Sequence, residues 1–207
     1  MLYFNKYFFL IRCIKALTEL SPKAKIFVLV NKMDKVDEEK RDDIFSNRES
    51  QLKAKAGNFT IEFFPTSIWE NTLYKAWSKI LVSIIPKKDK IKELLEKYAK
   101  ACQADEVVLF EKNTLLYISS YNAKEIKDNE RFDKICFGMK KFKNACYLDD
   151  KKSNHFLIKN KINTIYAHDF ENSTSLMVVL PNNNVSLELL KLNLEIAKKS
   201  FREIIDN

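Results

Sequence analysis

Glycine is nearly missing from this 207-residue chain, which holds only Gly57 and Gly138. That scarcity excludes one class of phosphate site. A loop of the form G-x-x-x-x-G-K-[ST], whose backbone N–H groups cradle phosphates, needs two glycines five residues apart. The motif D-x-x-G is excluded in the same way, because Ala54 and Ile135 stand three residues before the two glycines. Cysteine is sparse too: Cys13, Cys102, Cys136 and Cys146 show no C-x-x-C spacing, and the two histidines are far from Cys13 and Cys102. The simpler reading for each is a buried thiol in a reducing compartment. His155 and His168 lie in strand-like segments with no neighbouring Cys or Ser pattern and read as structural. No catalytic constellation and no metal-ligating set emerges. There is also no long uninterrupted apolar run. Met1 to Leu20 is broken by Lys6, Arg12 and Lys15, too charged to insert in a bilayer, and carries no clear small-residue cleavage site.

Few glycines and only four prolines, beside 46% hydrophobic residues, argue for packed structure over disorder. The net charge of +8 would suit an anionic partner if it were concentrated. It is not: residues 1–86 carry 14 Lys/Arg against 10 Asp/Glu, and the remainder carries 22 against 18. Such mixed faces are solvated, and no nucleic-acid surface is expected.

The stretch that organises the chain is KIFVLVNKMD, Lys25 to Asp34. Ile26 to Val30 is a short apolar run, expected to be a strand buried on both faces of a parallel sheet. Asn31, Lys32 and Asp34 follow at its carboxyl end, where open α/β sheets bind ligands. N-K-x-D is suited to guanine. An ionised carboxylate presents two acceptor oxygens that match the N1–H and 2-amino donors of that base. The Lys32 stem can lie on the base face, and the Asn31 amide can tie neighbouring loops together.

Around it, the N-terminal segment has Phe4, Phe8, Ile11, Cys13, Ile14 and Leu17 at helical spacing, which predicts a helix on the sheet, ended by Ser21-Pro22. Asp37 to Lys55 predicts an amphipathic helix, Phe59 to Phe64 a second strand, and Pro65 to Ile68 the loop at its carboxyl end. Asn71 to Ile85 predicts a helix with Leu73, Tyr74, Trp77, Ile80, Leu81 and Ile84 inward, and Pro86 marks the expected domain boundary. Beyond it the pattern reads helix (87–101), two strands (106–111, 115–119), helix (129–147), three strands (155–158, 162–168, 175–180) and helix (185–205). Antiparallel strands with helices on one face make an α+β layer domain.

Four stretches then carry a resemblance: SPKAKIFVLVNKMDKV, FFPTSIWENTLYKAWSKI, ADEVVLFEKNTLLYIS and RFDKICFGMKKFK. They are similar to the Rag/Gtr small GTPases of the A/B class, nearly end to end. The resemblance implies an α/β partial G domain of the P-loop GTPase type over residues 1–86. A roadblock/longin-like dimerisation domain is implied over residues 87–207. By the same resemblance Asn31, Lys32 and Asp34 bind guanine, Ser67 and Ile68 contact the base through their backbone, and Trp69 packs. The implied cofactor is GTP/GDP, although the Mg²⁺ ligands and phosphate loop of the family are absent, and the chain would begin at the family's third helix. On the helix Asn129–Tyr147, Met139 and Phe142 are expected to reach a partner.

In the family, A/B-class chains form heterodimers with C/D-class Rag-like GTPases and act in amino-acid signalling. They sit in the cytoplasm at the lysosomal or vacuolar surface through a scaffold complex, and recruit the target-of-rapamycin kinase complex. Whether this chain would be a GTP hydrolase is left open, since the catalytic motifs are missing. The alternatives are a non-catalytic dimerisation module with a vestigial G domain and, third, a basic adaptor for anionic surfaces.

Overall fold

The computed structural model describes residues 8–56, 60–124, 134–141, 155–159, 161–171, 173–181 and 186–206. The chain forms two compact units, Met1–Ala76 and Trp77–Asn207.

In the first unit, α1 (Phe8–Leu20) precedes β1 (Ile26–Val30). Two 3₁₀ turns, Met33–Lys35 and Glu38–Lys40, lead into α2 (Arg41–Ala56), and β2 (Ile61–Pro65) runs parallel to β1 with Ile26 opposite Ile61 and Val30 opposite Pro65. Ile14 of α1 packs with Ile26 and Ile61, flanked by Leu10, Leu17, Val28 and Phe63. Phe8 and Cys13, expected inward, are exposed instead, because the inward stripe runs through Leu10, Ile14 and Leu17. Phe4 lies outside the described residues. The expectation for β1 is met in direction but not in burial: past Ile26 the strand is only half-buried, since one strand pairs with it among the described residues.

The division between the two compact units falls inside α3 (Thr72–Ile84). One reason is visible in the packing, where Ile85 already lies against the core of the second unit. Along α3, Ala76 and Ile80 are buried, whereas Trp77 and Ile84, expected inward, are exposed.

The second unit is built on a five-stranded antiparallel sheet of order β4-β3-β7-β6-β5. The strands are β3 (Glu106–Glu111), β4 (Tyr117–Asn122), β5 (His155–Lys159), β6 (Asn163–Asp169) and β7 (Thr174–Pro181). Helix α4 (Lys88–Cys102) and the closing α6 (Leu187–Asp206) supply Ile91, Leu95, Tyr98, Leu190, Leu194 and Phe201 to one core with Val107, Leu109, Leu176 and Val178. Both helices show the 3.6-residue apolar stripe that such a face requires. The alternate residues Val108, Phe110, Met177 and Val179 are buried as well, so the central strands are covered on both faces.

The β3–β4 hairpin starts later than the Asn113-Thr114 signal suggests. Glu111 accepts the Asn113 and Thr114 N–H groups through its carboxylate, Leu115 takes a left-handed backbone, the Glu111 N–H donates to Leu116 O at 2.9 Å, and β4 begins at Tyr117. Of the expected helix 129–147, residues 134–141 are described as helical (α5).

Candidate guanine-base site

β1 and β2 end side by side, and the loops leaving them are stitched together. Thr66 N donates to Val30 O at 2.9 Å, and Met33 N donates to Thr66 O at 3.2 Å. Between those bonds Lys32 adopts φ 68°, ψ 33°, the left-handed region. A non-glycine residue there costs about 1–2 kcal/mol, which the flanking hydrogen bonds offset. The turn lifts the chain out of the strand and starts the 3₁₀ segment Met33–Lys35, closed by Val36 N donating to Met33 O at 3.1 Å. Met33 is buried and anchors the turn, so Asp34 is presented at its rim.

Two side-chain bonds join the loops directly. The Thr66 hydroxyl donates to Asn31 Oδ1 at 2.5 Å, as the loop-tying reading of Asn31 anticipates. The Ser67 hydroxyl donates to Asp34 Oδ1 at 2.6 Å. Ser67 is itself held on two further sides: its N–H donates to Thr72 Oγ1 at 2.8 Å, and its Oγ accepts from Trp69 N at 3.1 Å. Thr66 and Ser67 are fully buried while Asn31 and Asp34 reach solvent, so these bonds span the protein's surface layer, and an unmade partner on the Thr66 or Ser67 side would be costly. Each carboxylate oxygen has two lone pairs, so the bond from Ser67 leaves Asp34 able to accept from a base edge.

Asn31, Lys32, Asp34, Ser67 and Ile68 therefore lie on two adjoining loops. Lys32 is exposed and Asp34 half-buried. Ile68 is 72% exposed, and Trp69, expected to pack, is 81% exposed. Periodicity says nothing about a loop side chain, and the Trp69 backbone is used by Ser67 while its ring is left in solvent. A residue that the sequence reading missed is Arg41, which bridges the two loops from outside. No spacing marks it, because its partners Val36 and Glu70 lie on two different loops.

Among the other expected residues, Met139 is 9% exposed within this chain, which leaves little of it for a partner, while Phe137 on the same helix is 60% exposed. Phe142 and Cys146 lie outside the described residues. Cys102 and Cys136 are buried, and burial pushes the Cys102 thiol up from its ordinary value. His155 and His168 face each other across β5 and β6 with rings 6.1 Å apart. Burial holds His168 below its ordinary value, opposed by the Asp169 carbonyl and reinforced by Lys198. Among the described residues no group of three or more His, Cys, Asp or Glu is placed to hold a metal, and no helix is long and apolar enough to cross a membrane.

A family profile, the Gtr1/RagA G protein conserved region, matches residues 4–138. The chain is 37% identical over 195 residues to Ras-related GTP-binding protein A of Dictyostelium discoideum, covering 94% of this chain and 65% of that protein. To Ras-related GTP-binding protein B of Rattus norvegicus it is 38% identical, covering 93% of this chain and 51% of the relative. To the GTP-binding protein GTR1 of Saccharomyces cerevisiae it is 35% identical, covering 92% and 66%. The chain thus spans about half to two thirds of the length of these curated relatives. Among solved structures it is similar to Myxococcus xanthus MglB, at 18% identity and a TM-score of 0.49 over 59% of this chain and 92% of that one. A Roadblock/LC7 domain from Streptomyces avermitilis gives 13% identity and a TM-score of 0.44 over 56% and 98%.

Proposed function

Since this chain belongs to the Gtr1/RagA G protein family, we propose that its first unit supplies the guanine-recognising part of a Rag/Gtr-type GTP/GDP site. The observation that carries this reading is the Ser67–Asp34 bond at 2.6 Å beside the Thr66–Asn31 bond at 2.5 Å. Together they hold a carboxylate at the carboxyl end of a parallel strand pair, with lone pairs to match guanine N1–H and the 2-amino group. Adenine offers neither donor, and a site built to hydrogen-bond its ligand rejects such an analogue strongly. Lys32 covers the base with its stem, and the Ser67 and Ile68 backbone borders it.

The glycine arithmetic sets the other side of the proposal. With no G-x-x-x-x-G-K-[ST] and no D-x-x-G in these residues, the chain by itself contributes base selectivity but neither a phosphate cradle nor Mg²⁺ ligands, and is expected not to turn over GTP. Saturation-transfer NMR with millimolar guanosine and adenosine tests the base reading. Guanosine should receive saturation and adenosine should not, and Asp34→Asn, which leaves one acceptor oxygen, should erase the difference. Equal transfer to both nucleosides in the unaltered chain would overturn it.

The second unit supports a second role, pairing with a C/D-class Rag-like chain through a roadblock-type domain. The supporting observation is β5, which lies at the edge of the sheet among the described residues, is largely exposed and keeps Leu157 and Ile158 open to solvent. An exposed apolar strand at the edge of a sheet is a ready template for a partner strand. Within this proposal the pair acts in amino-acid signalling to the target-of-rapamycin kinase complex, held at the lysosomal or vacuolar surface by a scaffold. Light scattering on the chain alone and mixed with a C/D-class relative checks the pairing. A monomer in both samples at tens of micromolar would reject it, and Ile158→Lys should weaken any complex that forms.

A further inference from the structure

Arg41 occupies a junction. It is the first residue of α2 and follows without a break on the 3₁₀ turn Glu38–Lys40, with its N–H bonded to Glu38 O, so its backbone is fixed where the two segments meet. Its guanidinium is used in two directions. Nε donates to Val36 O at 3.0 Å, and Nη1 meets Glu70 Oε1 at 3.1 Å. Val36 is the residue whose N–H closes the 3₁₀ turn carrying Asp34. Glu70 lies three residues beyond Ser67, on the loop leaving β2. Arg41 and Glu70 side chains are only 30% and 33% exposed, so the pair is partly shielded from water.

A guanidinium is planar and rigid, so groups bonded to its nitrogens are held at a fixed separation. One fork therefore grips the turn that presents Asp34 and the loop that presents Ser67. We infer that Arg41 is a positioning residue for the base site, fixing the spacing of the two loops and thereby the direction in which the Asp34 carboxylate faces its ligand. This rests on the guanine reading above. Its specific consequence concerns the 2-amino group. Inosine carries the N1–H of guanosine but lacks that group, so preference for guanosine over inosine reports whether both carboxylate oxygens are aligned. A lysine could keep the charge at position 41 but could not hold both loops with one planar group.

The test uses the full chain as unaltered protein, Arg41→Ala, Arg41→Lys and Glu70→Gln, with two readouts. The first is amide hydrogen exchange at Val36 and Trp69, which needs no ligand. The second is the affinity ratio of guanosine to inosine from NMR titration. In Arg41→Ala both amides should exchange faster, and the ratio should fall about three- to tenfold, the scale of one ordinary hydrogen bond lost by misalignment. Arg41→Lys should resemble Arg41→Ala, and Glu70→Gln, which keeps the fold but weakens the ion pair, should fall between it and the unaltered chain. Unchanged exchange at Val36 and Trp69 overturns the positioning role whatever the ligand data show. Faster exchange with an unchanged ratio, in a chain that does prefer guanosine, overturns the link to selectivity. An unaltered chain with no guanosine preference overturns the guanine reading and the selectivity role with it, while the exchange data still decide whether Arg41 holds the loops.

Discussion

The two units solve the burial problem differently. The first sets two parallel strands beside α1 and α2 with a small cluster of Ile14, Ile26 and Ile61, and leaves most of β1 half-covered. The second closes five antiparallel strands under α4 and α6 around a core of 17 buried residues among those described. Stability scales with apolar area removed from water, so the second unit holds most of it. The chemistry lies on the other side of that divide. Four side chains at strand ends, held by short bonds, make a candidate site without a deep core. A binding loop needs local constraint more than bulk burial.

The sharpest break in the comparison comes from separating the units. Residues 1–86 expressed alone should give a narrow proton–nitrogen NMR spectrum and no cooperative melt, because an uncovered parallel pair exposes an edge and an apolar face. Residues 77–207 should melt cooperatively. A well-dispersed spectrum from the first fragment would cancel the contrast.

Core truncation should rank next. Leu95 and Leu109 are fully buried in the second unit, and Leu95→Ala should cost about 2–5 kcal/mol in urea unfolding followed by circular dichroism. Ser67→Ala, at the candidate site, should cost less, about 1–2 kcal/mol, because the two hydrogen bonds it removes, to Asp34 and from Trp69 N, are only partly buried. Equal costs would show that the site loops carry as much of the fold as the core does.

A pH series separates the units by another route. His168 prefers its neutral form in the folded state, so its folded pKa lies below the unfolded value of about 6.5. The stability associated with that preference is complete above pH ~6.5 and is lost as pH falls through that value, when the unfolded chain takes up the proton first. The groups around the ring are Asp169, Lys198 and His155. Thermal melts from pH 7.5 to 5 should show the second unit weakening, and His168→Gln should flatten the slope. The smallest effect is kinetic: Cys13 should react with a maleimide promptly and Cys102 only through unfolding, which mass spectrometry of labelled peptides would resolve.

Much of this arrangement is legible in the amino-acid pattern, and the failures share a cause. Alternating and 3.6-residue periodicities mark the elements, because burial of one face imposes them. The stripe on α6, Leu190, Leu194 and Phe201, can be read directly. The N-K-x-D residues are legible because chemistry dictates their types. What escapes is whatever depends on distant segments. Ser67 and Asp34 are 33 residues apart, and no local pattern announces their bond. The division inside α3 depends on which core Ile85 joins. Trp69 and Cys13 are misread for the same reason, since composition favours burial of such residues while the neighbouring elements decide it.

The left-handed backbone of Lys32 also narrows what mutation can explore at this position. A β-branched residue would meet its own carbonyl there, so valine or isoleucine at position 32 would distort the turn before any question of ligand arose. Asparagine and glycine fit the geometry, yet glycine widens the unfolded ensemble and asparagine lacks a long alkyl stem to lay across a base. Under the proposed base site, lysine at this position would be a compromise between a backbone that accepts glycine most easily and a base face that four methylenes can cover. Drift at position 32 is therefore confined to a handful of residues, whatever happens elsewhere in the chain.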